Sequence, residues 1–388
     1  MSALFEWLLR ALDAVHPPAR LAGIQPRNIL VFRPSGLGDF IMSVPAFVAL
    51  RRRFPDCRIT LLAMQSADAA VAATIAAYAG GAVSAPWIDL VRPHLIDDVI
   101  FLTSVRSPAS LLSTRKTLQR GEFDLIVNMT DVGCPWGRRL KRMLFLWALA
   151  GAVPQVGWRK EGAIHMSKVP LKDPGLGHHI HGPLHFLAEL DGPHAYQDKD
   201  IQFDLRPDES ARVWAADWHR DVAGGHRLVA LAPGAIHTHK NWPLENFVAL
   251  AGQLLNDRPD VLIVVMGSRS EVEKADRIQA VNPDRILSLA GGSSIAQSAA
   301  LFARCDLVVG NDGGAMHLAD AMGARVVSIV PGLEFPESIE PWHNQDRAVR
   351  HPVECAPCYS FTYCPVGHNR CMIDLPIERV VEQCLRAL

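Results

Sequence analysis

Short runs of apolar, often β-branched residues recur along this chain, and between them the apolar positions change to helical spacing. Residues 28–33 (NILVFR), 58–64 (RITLLAM), 98–102 (DVIFL) and 123–129 (FDLIVNM) read as strands that are apolar on both faces. Such strands cannot leave either face in water. Residues 44–54 carry apolar positions at helical spacing and end in Arg51, Arg52 and Arg53, which suit the negative end of a helix dipole. Buried strands alternating with helices imply a parallel sheet wrapped on both sides, hence an α/β fold.

The pattern then stops and starts again. A polar stretch rich in Pro, Gly and His runs from about residue 172 to 208 and holds one helical pattern at 182–190. Beyond it, residues 227–232, 261–266, 285–289, 306–309 and 325–330 read as strands with helices between them. The chain has 388 residues, which at roughly 150 per domain suggests two or three domains. The expected division is an N-terminal amphipathic helix within 1–27, a first doubly wound domain at 28–206, a second at 207–375, and a C-terminal helix at 376–388. Two such domains facing a cleft would place ligands at the carboxyl ends of their strands.

Composition narrows the class. Lys plus Arg number 39 and Asp plus Glu 40, a net charge of −1, which excludes a general polyanion binder such as a nucleic-acid coat. Hydrophobic residues at 49% and charged residues at 20% exclude a disordered polar chain. The longest apolar run, 143–153, falls well short of the roughly 20 residues that a bilayer requires. Glu6 and Arg10 interrupt the first apolar stretch, so it does not read as a signal peptide; Leu4, Phe5, Leu8, Leu9, Leu12 and Val15 instead form a helical stripe ended by Pro17 and Pro18. A cytoplasmic protein with reduced thiols is expected.

Candidate chemistry sits where strands end. After the first strand comes Arg33-Pro34-Ser35-Gly36-Leu37-Gly38-Asp39. Its two glycines permit a tight turn and close approach of a ligand, while Ile41 stands where a dinucleotide fingerprint needs a third. Asp39 either caps a helix or serves as a general base at a ligand site. In the second half, Pro233-Gly234-Ala235-Ile236-His237-Thr238-His239-Lys240 offers backbone amides and one cation, a combination suited to a diphosphate; a solvated surface lysine is the plainer alternative. Gly310-Asn311-Asp312-Gly313-Gly314-Ala315-Met316-His317 again runs from strand to helix. Its glycine amides would attract phosphate oxygens, Asp312 suits sugar hydroxyls or loop amides, and His317 is either a site residue or a core histidine. Glu271 or Glu273 could accept from ribose hydroxyls, or act as an ordinary first-turn acid.

Taken together, residues 28–63, 233–247 and 289–330, with the cysteine-bearing tail, resemble glycosyltransferase family 9, the ADP-heptose:lipopolysaccharide heptosyltransferases. The resemblance implies a GT-B architecture of two Rossmann-like domains, and inverting transfer of a heptose from ADP-heptose to a lipopolysaccharide inner-core acceptor. It implies Asp39 as the general base and Lys240 as the stabiliser of the departing diphosphate, with no cofactor needed for the chemistry. Gly36, Gly38, Gly234, Ala235, Glu271, Asp312, Gly313, Gly314 and His317 would hold the donor, and Arg33 would touch acceptor or phosphate. Pro34 and Gly36 depart from the hydroxyl-rich loop common in the family, and that departure bears on the acceptor.

Two clusters remain. Arg138, Arg139, Lys141 and Arg142 precede the apolar run, either as a basic turn or as a patch for an anionic glycolipid acceptor at the inner membrane surface. Cys355-x2-Cys358-x5-Cys364-x6-Cys371 could hold structural zinc or iron, pair as disulfides, or stay reduced.

Overall fold

The computed structural model describes residues 23–64, 85–104, 107–130, 136–157, 177–191, 196–360 and 362–388. The stripe expected to form a helix at 4–15 lies outside them. In chain order the first half forms β1 (Asn28–Phe32), α1 (Leu37–Ile41), α2 (Val44–Arg53), β2 (Arg58–Met64), β3 (Asp98–Leu102), α3 (Pro108–Arg120), β4 (Leu125–Asn128), α4 (Trp136–Ala150), β5 (Gln155–Val156) and α5 (His181–Asp191). The second half forms α6 (Glu209–Trp218), β6 (Arg227–Ala232), α7 (Leu244–Asp257), β7 (Val261–Val265), α8 (Val272–Gln279), β8 (Ile286–Ser288), α9 (Ile295–Phe302), β9 (Leu307–Asn311), α10 (Gly314–Ala321), β10 (Val326–Ile329) and α11 (Ile377–Ala387).

All the strand pairs are parallel. The first sheet has the order β3-β2-β1-β4-β5 and the second β10-β9-β6-β7-β8. In each, the order reverses beside the leading strand, between β1 and β4 and between β6 and β9. Loops leaving the carboxyl ends of such a pair diverge to opposite faces and leave a crevice where ligands bind in open α/β sheets. Register fixes which residues meet there: Phe32 stands opposite Asn128, and Ala232 opposite Gly310.

The strands are as buried as their composition demands. Val229, Leu231, Ile263, Val265, Leu307 and Val309 form the middle of the second core, all with no exposed surface. Helix α7 turns Phe247, Leu250, Ala251, Leu254 and Leu255 inward at helical spacing. Trp242, just ahead of it, sets its ring edge-on to Phe247 at 5.2 Å and donates its indole N–H to Leu375 O at 3.2 Å. Fully burying a side chain like Phe247 is worth about 1.5–3 kcal/mol. Helix α11 brings Val380, Val381 and Cys384 into the same cluster, so the C-terminal segment is part of the second core.

Strand β5 has no counterpart among the expected strands. At two residues it is too short to show periodicity, and it forms because β4 offers an edge, with Ile126 opposite Gln155. Contacts divide the chain into two compact units between Gln202 and Phe203. The second unit also takes up Gly36–Met42, which contains α1, and the 3₁₀ turn Pro86–Val91.

Candidate functional site

The loops after β6 and β9 stand side by side in the second unit because those strands are neighbours. The β6 loop turns through a short 3₁₀ segment, Thr238–Lys240, which swings Lys240 back over the sheet edge. There its Nζ meets Asp312 Oδ2 at 2.8 Å, with the side chains 17% and 5% exposed. Two amides hold this arrangement. Asn311 accepts from the Trp242 N–H at 2.9 Å and donates to Pro233 O at 2.7 Å and to Asn241 Oδ1 at 3.3 Å. Asn241 Oδ1 also accepts the Ala235 N–H at 2.8 Å. The loop carrying Lys240 is thereby tied to the strand that delivers Asp312. The Ala235 amide is engaged in this tie, which corrects the expectation that it is free for phosphate.

Helix α1 lies against α10 at a distance only glycines allow. A Cβ on Gly314 would fall 2.8 Å from Leu37 Cβ, and one on Gly38 would fall 3.2 Å from His317 Cδ2 and 3.4 Å from Gly314 Cα. Asp39, exposed in the first turn of α1, thus comes near the same charges. The α1 N-cap is Gly36, and no side chain caps it. Gly36 and Gly313 both border open space: a Cβ on the first would touch nothing within 4 Å, and one on the second only Asn311 O at 3.8 Å.

The charges are strongly coupled. Burial pulls the Lys240 ammonium down, but Asp312, with smaller help from Asp39 and Glu334, outweighs it and holds the pKa above the ordinary lysine value. Burial pushes Asp312 up, and Lys240 reverses this, keeping the carboxylate below its usual range. The site therefore holds an ion pair rather than a neutral pair. His317, 3.9 Å from Asp312 through Nε2, is pushed below the ordinary histidine value by burial, against the pull of Asp312, Asp320 and Asp39. It is a neutral imidazole near pH 7.

Glu271 sits across from the β6 loop. Its Oε2 accepts from Ser268 N at 2.7 Å and Ser268 Oγ at 2.9 Å in a capping box. Its Oε1 lies 0.9 Å from where a Gly234 Cβ would be, so the glycine leaves room for the carboxylate. The residue is both a first-turn acid and an oxygen directed at the β6 loop. Glu273 lies in the first turn of α8.

The other expected residues are placed differently. Arg33, in the first unit, is 8% exposed and donates from Nη1 to Met129 O at 2.7 Å, bridging the β1 and β4 ends. Arg138 and Arg139 fall in the first turn of α4, where only the backbone is described. Cys355, Cys358, Cys364 and Cys371 are free thiols of intermediate exposure. Burial raises the Cys371 thiol, and the charges of Cys358, Cys364 and Cys355 add to this against a backbone hydrogen bond at Gly332. Around Cys364 the amides of Asn369, Val366, Gly367 and His368 outweigh burial and lower its pKa. Cys355 Sγ is 3.9 Å from His368 Nε2, a partner that cysteine spacing alone does not reveal. The expected four-sulfur ligand set is not assembled: among the described residues no three His, Cys, Asp or Glu side chains are grouped to hold a metal ion.

Sequence reasoning assigned no role to Asn241, Asn311 or Glu334. The asparagines lie inside the two loop motifs, and an amide beside a candidate cation and a candidate carboxylate is a signal that a tie is needed. Glu334, 4% exposed, carries no such signal, since only the fold brings it near Lys240.

Comparison with known proteins bears on the family and the fold. A lipooligosaccharide heptosyltransferase 2 of Campylobacter jejuni is 30% identical over 172 residues, covering 43% of this chain and 53% of that protein. The chain spans about half the length of the curated relatives it matches first. Among solved structures, a glycosyl transferase family 9 protein from Veillonella parvula superposes with a TM-score of 0.67 at 17% identity, over 93% of this chain and 97% of that one. The E. coli ADP-heptose lps heptosyltransferase II gives 0.62 at 20% identity, over 93% and 98%. The two doubly wound α/β units are those of the GT-B fold seen in such heptosyltransferases. The profile of glycosyltransferase family 9 (heptosyltransferase) matches residues 111–364, well over half of the chain, and the protein belongs to that family.

Proposed function

We propose that this protein is an inverting glycosyltransferase that moves a heptose from ADP-heptose to an inner-core lipopolysaccharide acceptor at the cytoplasmic face of the inner membrane. The observation that carries the reading is the buried Lys240–Asp312 pair at the β6/β9 switch point, with Asp39 close enough to influence the same lysine. Family membership and the named relatives support the donor and acceptor class.

The chemistry is a single displacement. The acceptor oxygen forms a bond to the anomeric carbon as the bond to the diphosphate oxygen breaks, and the electron pair leaves with ADP. Asp39 takes the acceptor's proton. Lys240 and the first-turn amides of α10, around Gly313 and Gly314, stabilise charge growing on the diphosphate. Asp312 orients Lys240 and accepts from the sugar. Glu271 Oε1, with Gly234 beneath it, accepts from the ribose. Neutral His317 keeps a hydrogen-bonding imidazole beside the sugar without adding charge. A base on one side and a stabilised leaving group on the other invert the anomeric centre.

The test is a panel of nucleotide sugars screened for thermal stabilisation, followed by product analysis on truncated lipopolysaccharide. ADP-heptose should stabilise most and yield a heptosylated product. A different nucleotide sugar, or binding without turnover, would replace this reading. Asp39→Asn should lose turnover by roughly 100-fold or more with donor affinity nearly intact; full activity in that variant refutes the base assignment. We also propose that Cys355, Cys358, Cys364 and Cys371, which are not grouped as a ligand set in this structure, close on a structural zinc or iron when it is bound. The soft donor set and the amides that favour thiolate at Cys364 support it. Metal analysis after anaerobic purification tests it, and a stoichiometry near zero removes it.

A further inference from the structure

Helices α3 and α4 of the first unit pack side by side and bury Leu118, Leu146 and Leu149 in one cluster. Their outer side is unusual in two ways. First, neither helix contains an Asp or Glu, while Arg115, Lys116, Arg120 and Lys141 are exposed on them. A chain with a net charge of −1 thus gathers uncompensated positive charge on one helical pair. Among the described residues no salt bridge engages Lys116 or Arg120. Second, α4 is apolar all round in its second half. Met143, Leu146 and Leu149 satisfy its inner side, yet Leu144 and Ala148 face outward, with Leu144 48% exposed. A helix apolar on every side is expected inside a protein or against lipid, not against water.

The two features are joined. Arg115 donates from Nη1 to Ala148 O at 3.0 Å, which sets the exposed stripe of α3 beside that of α4. Leu112, 55% exposed, lies one turn before Arg115 and Lys116. The face therefore alternates leucine with long basic side chains and contains no acid. That chemistry matches an anionic membrane interface, where leucines enter the acyl boundary and Lys or Arg reach lipid phosphates.

We propose that the outer α3–α4 face docks the protein on an anionic phospholipid bilayer. The inference stands apart from the choice of donor and acceptor, because binding is read without any sugar transfer.

The test is sedimentation of the full chain with vesicles. Phosphatidylglycerol–phosphatidylcholine vesicles should bind it, pure phosphatidylcholine should not, and salt should weaken the binding. Lys116→Gln with Arg120→Gln should reduce affinity roughly thirtyfold, from about 1 kcal/mol for each basic residue near the surface. Leu144→Gln should weaken binding independently and serves as a second variant. Both should keep wild-type melting and wild-type transfer to a water-soluble acceptor, so a failure of the enzymatic reading is seen separately. Equal binding to both vesicle types overturns the proposal, as does unchanged affinity in the folded variants. Binding that appears only when lipopolysaccharide is added to the vesicles also overturns it, since the face would then be an acceptor subsite.

Discussion

Replacing Gly234 by Ala places a methyl carbon 0.9 Å from Glu271 Oε1, a position both atoms cannot share. The Gly234 backbone is not in the left-handed region, so alanine is not strained by its own dihedral angles. The loop is tied through Ala235 to Asn241 and through Pro233 to Asn311, so the carboxylate is the part that moves. In moving it gives up two charge-assisted hydrogen bonds, from Ser268 N at 2.7 Å and Ser268 Oγ at 2.9 Å. Each is worth about 1.5–3 kcal/mol when fully lost. Glu271 is only half-buried, so water replaces part of that, and a net cost of about 2 kcal/mol is expected. For a unit of this size that corresponds to a fall of about 4–8 °C in Tm. The decisive measurement is a double-mutant cycle by thermal or urea unfolding. Glu271→Ala alone forfeits the same bonds. With the carboxylate gone, Gly234→Ala should cost less than about 0.5 kcal/mol further. A second drop as large as the first would show that the alanine clashes with the loop itself, and the close-approach reasoning would fail.

Asp312→Asn leaves the Lys240 ammonium buried without its partner, which should cost about 3–5 kcal/mol in urea unfolding; adding Lys240→Met should restore much of it, and an equal loss in the double variant would count against the pair. Lys240→Ala should weaken ADP binding in calorimetry, and unchanged affinity would reject its leaving-group role. His343 is raised above the ordinary histidine value by its hydrogen bond with buried Asp320. A raised pKa gives stability that is complete below about pH 6.5 and fades as pH climbs through the folded-state value. The wild type should thus exceed His343→Gln by a few tenths of a kcal/mol near pH 5.5, discounted because His343 is half exposed, with the gap closing by pH 9. A gap that widens with pH would contradict the assigned sign.

The strands were legible because a parallel sheet buries both faces and so writes itself as continuous apolar runs; β6 and β7 appear almost residue for residue where the runs lie. Strand β5 was not, since Gln155-Val156 forms only because β4 has an open edge. At the site, the residue types were legible and their partnerships were not. Lys240 and Asp312 are 72 residues apart in sequence, and only the adjacency of β6 to β9 joins them. The loop motifs suggested a cation for phosphate and a carboxylate for sugar, and the fold pairs the two with each other first. Likewise the engaged Ala235 amide could not be foreseen without knowing that Asn241 folds back on it. Glycine was the better guide: Gly38, Gly234 and Gly314 each mark a place where another part of the chain comes too close for a Cβ.

Helix α1 has one further consequence. Its residues leave the first sheet directly after β1, yet Gly36–Met42 belongs by contact to the second unit, with Leu37 seated over Gly314. The proposed base is therefore encoded with one half of the chain and housed by the other. A chimera joined between residues 202 and 203 would carry Asp39 from one parent into a seat shaped by the other, so recombination among relatives at the obvious linker tests the fit of α1 on α10 before it tests substrate choice. Transplanting residues 36–42 along with the second unit keeps that seat matched.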